Sequence, residues 1–185
     1  DGPAPLMLLY HINVGFPLVR PGAHWASVSR VHPRDAEARA GGASWNTYDA
    51  PTHGYHEQVF FHSVRSDAKL RVANVVLHSA GFGLHVRYPH DALPYLTQWK
   101  NTRYGQYVCG IEPGTCIPEG QNAAHEAGRL HMIAPGETRE FSVSLRVLPD
   151  ERAVGLALAA VEKDRANGSS VPSCYLDDYS PQENS

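Results

Sequence analysis

The chain has 185 residues, of which 42% are hydrophobic and 19% charged, and its formal net charge at pH 7 is -3. That length allows one domain, or part of a larger one, with a real core. The even charge balance gives nucleic acid no basic footprint, and no apolar run reaches membrane-spanning length, so neither partner is expected.

Cys109, Cys116 and Cys174 are odd in number and lack a CxxC pair. This argues against a zinc knuckle or a disulfide framework and favours a reducing, cytoplasmic setting. The sequence opens on Asp1-Gly2-Pro3 without a signal-peptide pattern and runs almost at once into an apolar strand, which suggests a cut end. Sixteen glycines and 14 prolines favour short strands and many turns over a helical bundle.

Leu6 to Val14 is the first expected strand, with Leu8, Tyr10, Ile12 and Val14 on one apolar face and Leu9, His11 and Asn13 on the other. His11 and Asn13 together suggest either a site or a satisfied structural network. From Arg20 to Pro51 no period is sustained, and a long irregular loop is expected, in which Arg30, His32 and Arg34 are either solvated or in contact with an anionic substrate. Tyr55 to His62 is the next strand, carrying Glu57 and Val59 on one face and Gln58 and Phe60 on the other. Leu70 to His78 and Gly83 to Tyr88 read as a hairpin turning at Ser79-Ala80-Gly81-Phe82. Tyr95 to Trp99 then leads through Lys100 to Arg103 into the strand that ends on Glu112. Trp99 beside Gln98 and Lys100 has the chemistry of a sugar site, an aromatic face with hydrogen-bonding neighbours, although Trp99 also suits a core.

Within Gln106 to Gly114, alternation sets Val108, Gly110 and Glu112 on one face and Tyr107, Cys109 and Ile111 on the other. Gly110 leaves room beside the carboxylate, and Pro113-Gly114 are expected to stop the strand just after Glu112 and hold it at a cleft mouth. A polar loop runs from there to Gly128, and Leu130 to Ile133 resumes β character. Arg139 to Leu148 alternates, with Phe141, Val143, Leu145 and Val147 inward. Asp150 is a fitting N-cap for a helix to about Ala166 that stops at Gly168, and Ser169 to Ser185 has the composition of a loose tail. The expected organisation is a β domain over 1–149, a helix over 150–168 and a tail over 169–185. The fold class is all-β, an antiparallel β-sandwich with one short C-terminal helix.

In sequence order the segments Tyr10-His11-Ile12-Asn13-Val14-Gly15, Glu57-Gln58-Val59-Phe60, Gln98-Trp99-Lys100 and Gly110-Ile111-Glu112-Pro113, followed by Asn122 and Pro135-Gly136-Glu137, resemble the C-terminal half of aldose 1-epimerase-like proteins. These form the galactose mutarotase superfamily, and the match is closest to a bacterial branch of it. The resemblance implies the supersandwich fold of that superfamily and an isomerase that interconverts sugar anomers by ring opening. It implies Glu112 as base and His11 as acid, on opposite sides of the sugar ring, with Asn13, Glu57, Gln58, Trp99 and Lys100 as substrate contacts and no metal or organic cofactor. The family's acid histidine lies four residues before the Asn, where this chain has Leu9, and His11 lies two before it. An even offset keeps the same strand face. The implied partners are a monosaccharide or related sugar and either a missing N-terminal half or a second copy of the chain.

Two other readings stay open at this stage. A non-catalytic carbohydrate-binding sandwich would keep Gln98, Trp99 and Lys100 without needing Glu112. A polysaccharide lyase-like enzyme would draw on Tyr10, Asn13 and Arg103 at an acidic sugar.

Overall fold

The computed structural model describes residues 2–64 and 71–166. Because alternating strands present one apolar face each, they pair into two antiparallel sheets and bury those faces against each other. One sheet has five strands in the order β2 (Ile12–Val14), β9 (Gln106–Gly114), β8 (Tyr95–Arg103), β5 (Gln58–Val64) and β4 (Ser29–Pro33). The second has four, β11 (Ser144–Leu148), β7 (Phe82–Pro89), β6 (Val72–Ser79) and β3 (His24–Ala26). A separate ribbon pairs β1 (Ala4–Leu6) with β10 (His131–Ile133). The expected antiparallel β-sandwich is the fold observed. Its core joins Leu96, Cys109 and Ile111 of the first sheet to Trp25, Val75, Leu77 and Val86 of the second.

The hairpin from β6 to β7 turns on two residues, Ala80 at φ 45° and Gly81 at φ 83°, as its sequence suggested. Helix α3 (Glu151–Ala166) starts where Asp150 accepts the amide of Ala153 through Oδ1 at 2.7 Å. It lays Val154, Ala157 and Val161 on Val76 and Leu148 of the four-stranded sheet. The expected stop at Gly168 and the tail over 169–185 lie outside the described residues. No helix among the described residues is long and apolar enough to cross a membrane.

Four expectations need correction. The single strand over Leu6 to Val14 is two short strands, because Leu8 turns aside to pair its amide with Thr115 Oγ1 at 2.9 Å. Its alternation nonetheless holds, with Leu8, Tyr10, Ile12 and Val14 packed on the core. The expected loop over Arg20 to Pro51 contains β3, β4 and the helix α1 (Ala36–Ala40), which Asp35 caps by accepting the amide of Ala38 at 2.9 Å. These edge strands are too short to show a period. The polar stretch after Glu112 contains another short helix, α2 (Gln121–Glu126).

The last strand is shorter than Arg139 to Leu148, and its inward residues Leu145 and Val147 are 53% and 70% exposed. They share a face with Val86 and Leu84 but sit on the outermost strand, where none of the described elements covers them.

Candidate active site

The site is built on the hairpin of β8 and β9. Register places Thr97 opposite Glu112 and Trp99 opposite Gly110, and on the other side of β9 it places Asn13 opposite Gly110. Extending that register by one residue puts His11 beside Glu112. One outward face of the five-stranded sheet therefore carries His11, Glu112 and Thr97 in one row and Asn13, Gly110 and Trp99 in the next. Strand β9 does not stop after Glu112 as expected, since Pro113 pairs with Leu96 and Gly114 with Tyr95. Proline is tolerated because its carbonyl faces the other side, where it accepts from the amide of Tyr10 at 3.0 Å, so the ladder with β8 asks no N–H of it.

Glu112 is 3% exposed and forms the floor of a cavity of about 310 Å³, lined also by His11, Arg34, Glu57, Thr97 and Trp99. Burial lifts its carboxyl to about 7, while His11 pulls it down and Glu57 adds to the rise. His11 Nε2 stands 3.1 Å from Glu112 Oε1, near enough for an ion pair when the imidazole is protonated. Glu112 Oε1 has no hydrogen-bond partner among the described residues. Thr97 Oγ1, buried in the next strand, has none either. Buried polar atoms are nearly always paired, so two unpaired ones side by side in a cleft mark a place shaped for something else to bind.

Gly110 is needed for this arrangement. A Cβ there would come within 2.4 Å of Glu112 Oε1 and 3.0 Å of Trp99 Cβ. Around the rim, Trp99 Nε1 donates to Glu57 Oε2 at 2.7 Å, Arg34 Nη2 approaches Glu57 Oε1 at 3.4 Å, and Arg34 Nε donates to Asp35 Oδ2 at 2.8 Å. The Trp99 ring is thus fixed in orientation, and the His11 ring meets it edge-on with centroids 5.8 Å apart.

Of the residues expected at the site, His11, Glu57, Trp99 and Glu112 line one cavity, and Asn13 is exposed beside it on the same face. Gln58 and Lys100 are not brought there. They are cross-strand partners on the inward face, where Lys100 Nζ donates to Ser44 O at 2.8 Å. Each is one residue from a site residue, and in a strand one residue is the opposite face. Nor do Glu112 and His11 flank a space, since they stand in contact, side by side. The lyase set is also dispersed, because Tyr10 packs on the core while Asn13 faces outward. Sequence reasoning missed Thr97, which two-residue spacing from Trp99 could have found, and offered Arg34 only as a solvated loop cation or a contact to an anionic substrate. Among the described residues no group of three or more His, Cys, Asp or Glu side chains is placed to hold a metal ion.

Residues 1–147 match the family described as Domain of unknown function (DUF4432), and the chain belongs to that family. Among solved structures it is similar to a crystal structure from Klebsiella pneumoniae subsp. pneumoniae, that of a protein provisionally named an aldose 1-epimerase. The TM-score is 0.86 at 28% identity, over 91% of this chain and 45% of that one. The chain therefore spans less than half the length of that relative, and the resemblance to aldose 1-epimerase-like proteins extends to the fold. No curated protein matches.

Proposed function

We propose that this DUF4432 chain carries the acid–base pair of an aldose 1-epimerase-like isomerase, with Glu112 as base and His11 as acid on a free sugar. The observation that carries the reading is the buried carboxylate of Glu112, raised to about 7 and lacking a partner on Oε1, beside an imidazole. A group that titrates near neutrality can take and return a proton at working pH. Similarity to a protein provisionally named an aldose 1-epimerase supports the same class.

Contact between the two groups suits the chemistry. In a cyclic aldose the anomeric hydroxyl and the ring oxygen are bonded to the same carbon, so an acid and a base side by side on one face reach both. Glu112 accepts the hydroxyl proton and protonated His11 gives one to the ring oxygen. The C1–O5 bond breaks as the C1=O1 bond forms. Rotation about C1–C2 presents the other face of the aldehyde, and on reclosure the O5 hydroxyl attacks C1 and gives its proton back to His11 while Glu112 returns its proton to O1. Trp99, held by Glu57, offers an apolar face to the sugar ring, and Thr97 Oγ1 offers a hydrogen bond. Asn13 stands next along the same face.

Polarimetry of a freshly dissolved aldose, with calorimetric binding alongside, tests the reading. Accelerated mutarotation that Glu112→Gln abolishes, with sugar binding kept, is the expected result. Binding without any acceleration, or full activity in Glu112→Gln, would overturn the mechanism and leave a carbohydrate-binding sandwich.

A further inference from the structure

A second cavity, of about 370 Å³, lies on the far side of the molecule between α3 and the outward face of the β7–β11 pair. Three cations line it, Arg87 from β7, Arg146 from β11 and Lys163 from α3. Among the described residues none of the three forms an ion pair. Among the described residues the one carboxylate on its wall is Asp164, which is 4% exposed and already engaged, for its Oδ2 accepts from Asn74 Nδ2 at 2.8 Å. That bond orients the Asn74 amide so that its Oδ1 faces His85 Nε2 at 3.0 Å. His85 must therefore carry its proton on Nε2 and donate it. Cross-strand register puts Arg87 next to Asn74 and Arg146 next to His85, so both guanidinium groups rise beside this fixed relay.

We propose that this cleft is a binding site for a small phosphate ester, whose dianion Arg87, Arg146 and Lys163 clamp against the Asn74–His85–Asp164 relay. Among the described residues that line the cleft, three cations against one carboxylate leave two positive charges, which a phosphate monoester dianion matches. Guanidinium forks fit phosphate oxygens bidentately, and the third cation serves as a point charge. The remaining wall, with Leu148, Ala157 and Ala160, is apolar and receives the organic part of the ester. The groups facing His85 from the packed elements are Arg87 on its own strand, Arg146 on β11, Asn74 on β6, and Lys163 and Asp164 on α3. Burial, then Arg87 and Arg146, hold its imidazole down at about 4. An anion seated among those cations offsets their repulsion and raises that midpoint. The site is distinct from the Glu112 cleft, which lies on the other sheet, and does not depend on the reading given to it.

Inorganic phosphate and glycerol phosphate are the probes, titrated by calorimetry at low ionic strength with the His85 ring followed by NMR. Both should bind, binding should weaken as salt is added, and the His85 midpoint should move upward. The double variant Arg87→Gln, Arg146→Gln removes two exposed side chains and keeps the fold, checked by its melting curve. It should lose about tenfold or more in affinity, as expected when charged hydrogen bonds are deleted, while Glu112→Gln binds phosphate as the unaltered chain does. Absence of millimolar binding, an unmoved His85 midpoint at saturating phosphate, or full affinity in the double variant would each overturn the proposal.

Discussion

The two faces of the five-stranded sheet bury polar groups in opposite ways. On the inward face, His62 bonds Ser29 Oγ through Nδ1 at 2.9 Å and Gln98 Oε1 through Nε2 at 3.2 Å. Gln98 Nε2 in turn donates to Trp45 O and to Tyr48 Oη, and Tyr48 donates to Cys109 Sγ at 2.7 Å. Apart from Gln58 Oε1 near the end of the sheet, the chain supplies these groups with partners of its own. On the outward face Thr97 Oγ1 has none, and Glu112 Oε1 has the imidazole of His11 3.1 Å away but no hydrogen bond. A closed network specifies a core, whereas an open one a few ångströms away across the same backbone holds acceptors ready for a ligand.

The comparison breaks most sharply at Glu112. Glu112→Gln keeps the shape but removes the base, and anomer interconversion should fall by roughly 10²- to 10⁴-fold. His11→Asn should lower the rate too, and the double variant should be little worse than the poorer single one, because both act in one proton-transfer cycle. Activity should rise with pH through about 7 as Glu112 ionises. Stability should run the other way. A carboxyl whose folded midpoint lies above its unfolded one holds its proton more tightly when folded, so its contribution is complete below about 4.5 and is lost as pH rises through about 7. Urea midpoints across that window should fall with pH in the unaltered chain and stay flatter in Glu112→Gln.

A change on the inward face should have the reverse signature. Gln98→Leu leaves His62 Nε2 and Tyr48 Oη without their shared partner in a fully buried setting, where His62 is held neutral at about 3 by burial. Unfolding free energy should drop by about 2–4 kcal/mol, the cost of stranding buried polar groups, while the rate per folded molecule hardly moves. Equal losses of rate and stability from Gln98→Leu would mean that the two faces are not separate.

Gly110→Ala tests the space between the rows of the outward face. The new methyl would press on Glu112 Oε1 at 2.4 Å, the movable end of a side chain, and on Trp99 Cβ at 3.0 Å. Displacing the carboxylate should cost roughly ten- to a hundredfold in rate, with about 1–3 kcal/mol of stability. The alanine variant should still bind sugar, read by calorimetry.

What the sequence disclosed follows from period. Two-residue alternation put Glu112 and Gly110 on one face, and Asp150 marked the start of α3, because these signals are local. Side-by-side contact between His11 and Glu112 depends on how β2 meets β9 across about a hundred residues, which no local pattern encodes. The edge strands β3 and β4 were read as loop because three to five residues show no period, and their order comes from pairing with β6 and β5. Leu145 and Val147 follow the expected parity and are still exposed, since parity says which way a side chain points and not whether anything covers it.

Lys100 gives the smallest and most discriminating expectation. Motif order groups it with Trp99 as a sugar contact, but its ammonium lies on the inward face, bonded to Ser44 O and 5.6 Å above the Tyr48 ring. Lys100→Met keeps the length of the stem and removes the charge, so sugar affinity should be unchanged. A loss of affinity would place the ligand on the wrong face here. Burial holds the Lys100 ammonium below the usual lysine range, opposed only in part by Asp49. A lysine whose folded midpoint is depressed binds fewer protons folded than unfolded between its two midpoints, so stability rises with pH across that interval. The unaltered chain should therefore gain stability on approaching the ordinary lysine midpoint, and Lys100→Met should lose that gain while its response to sugar stays that of the parent.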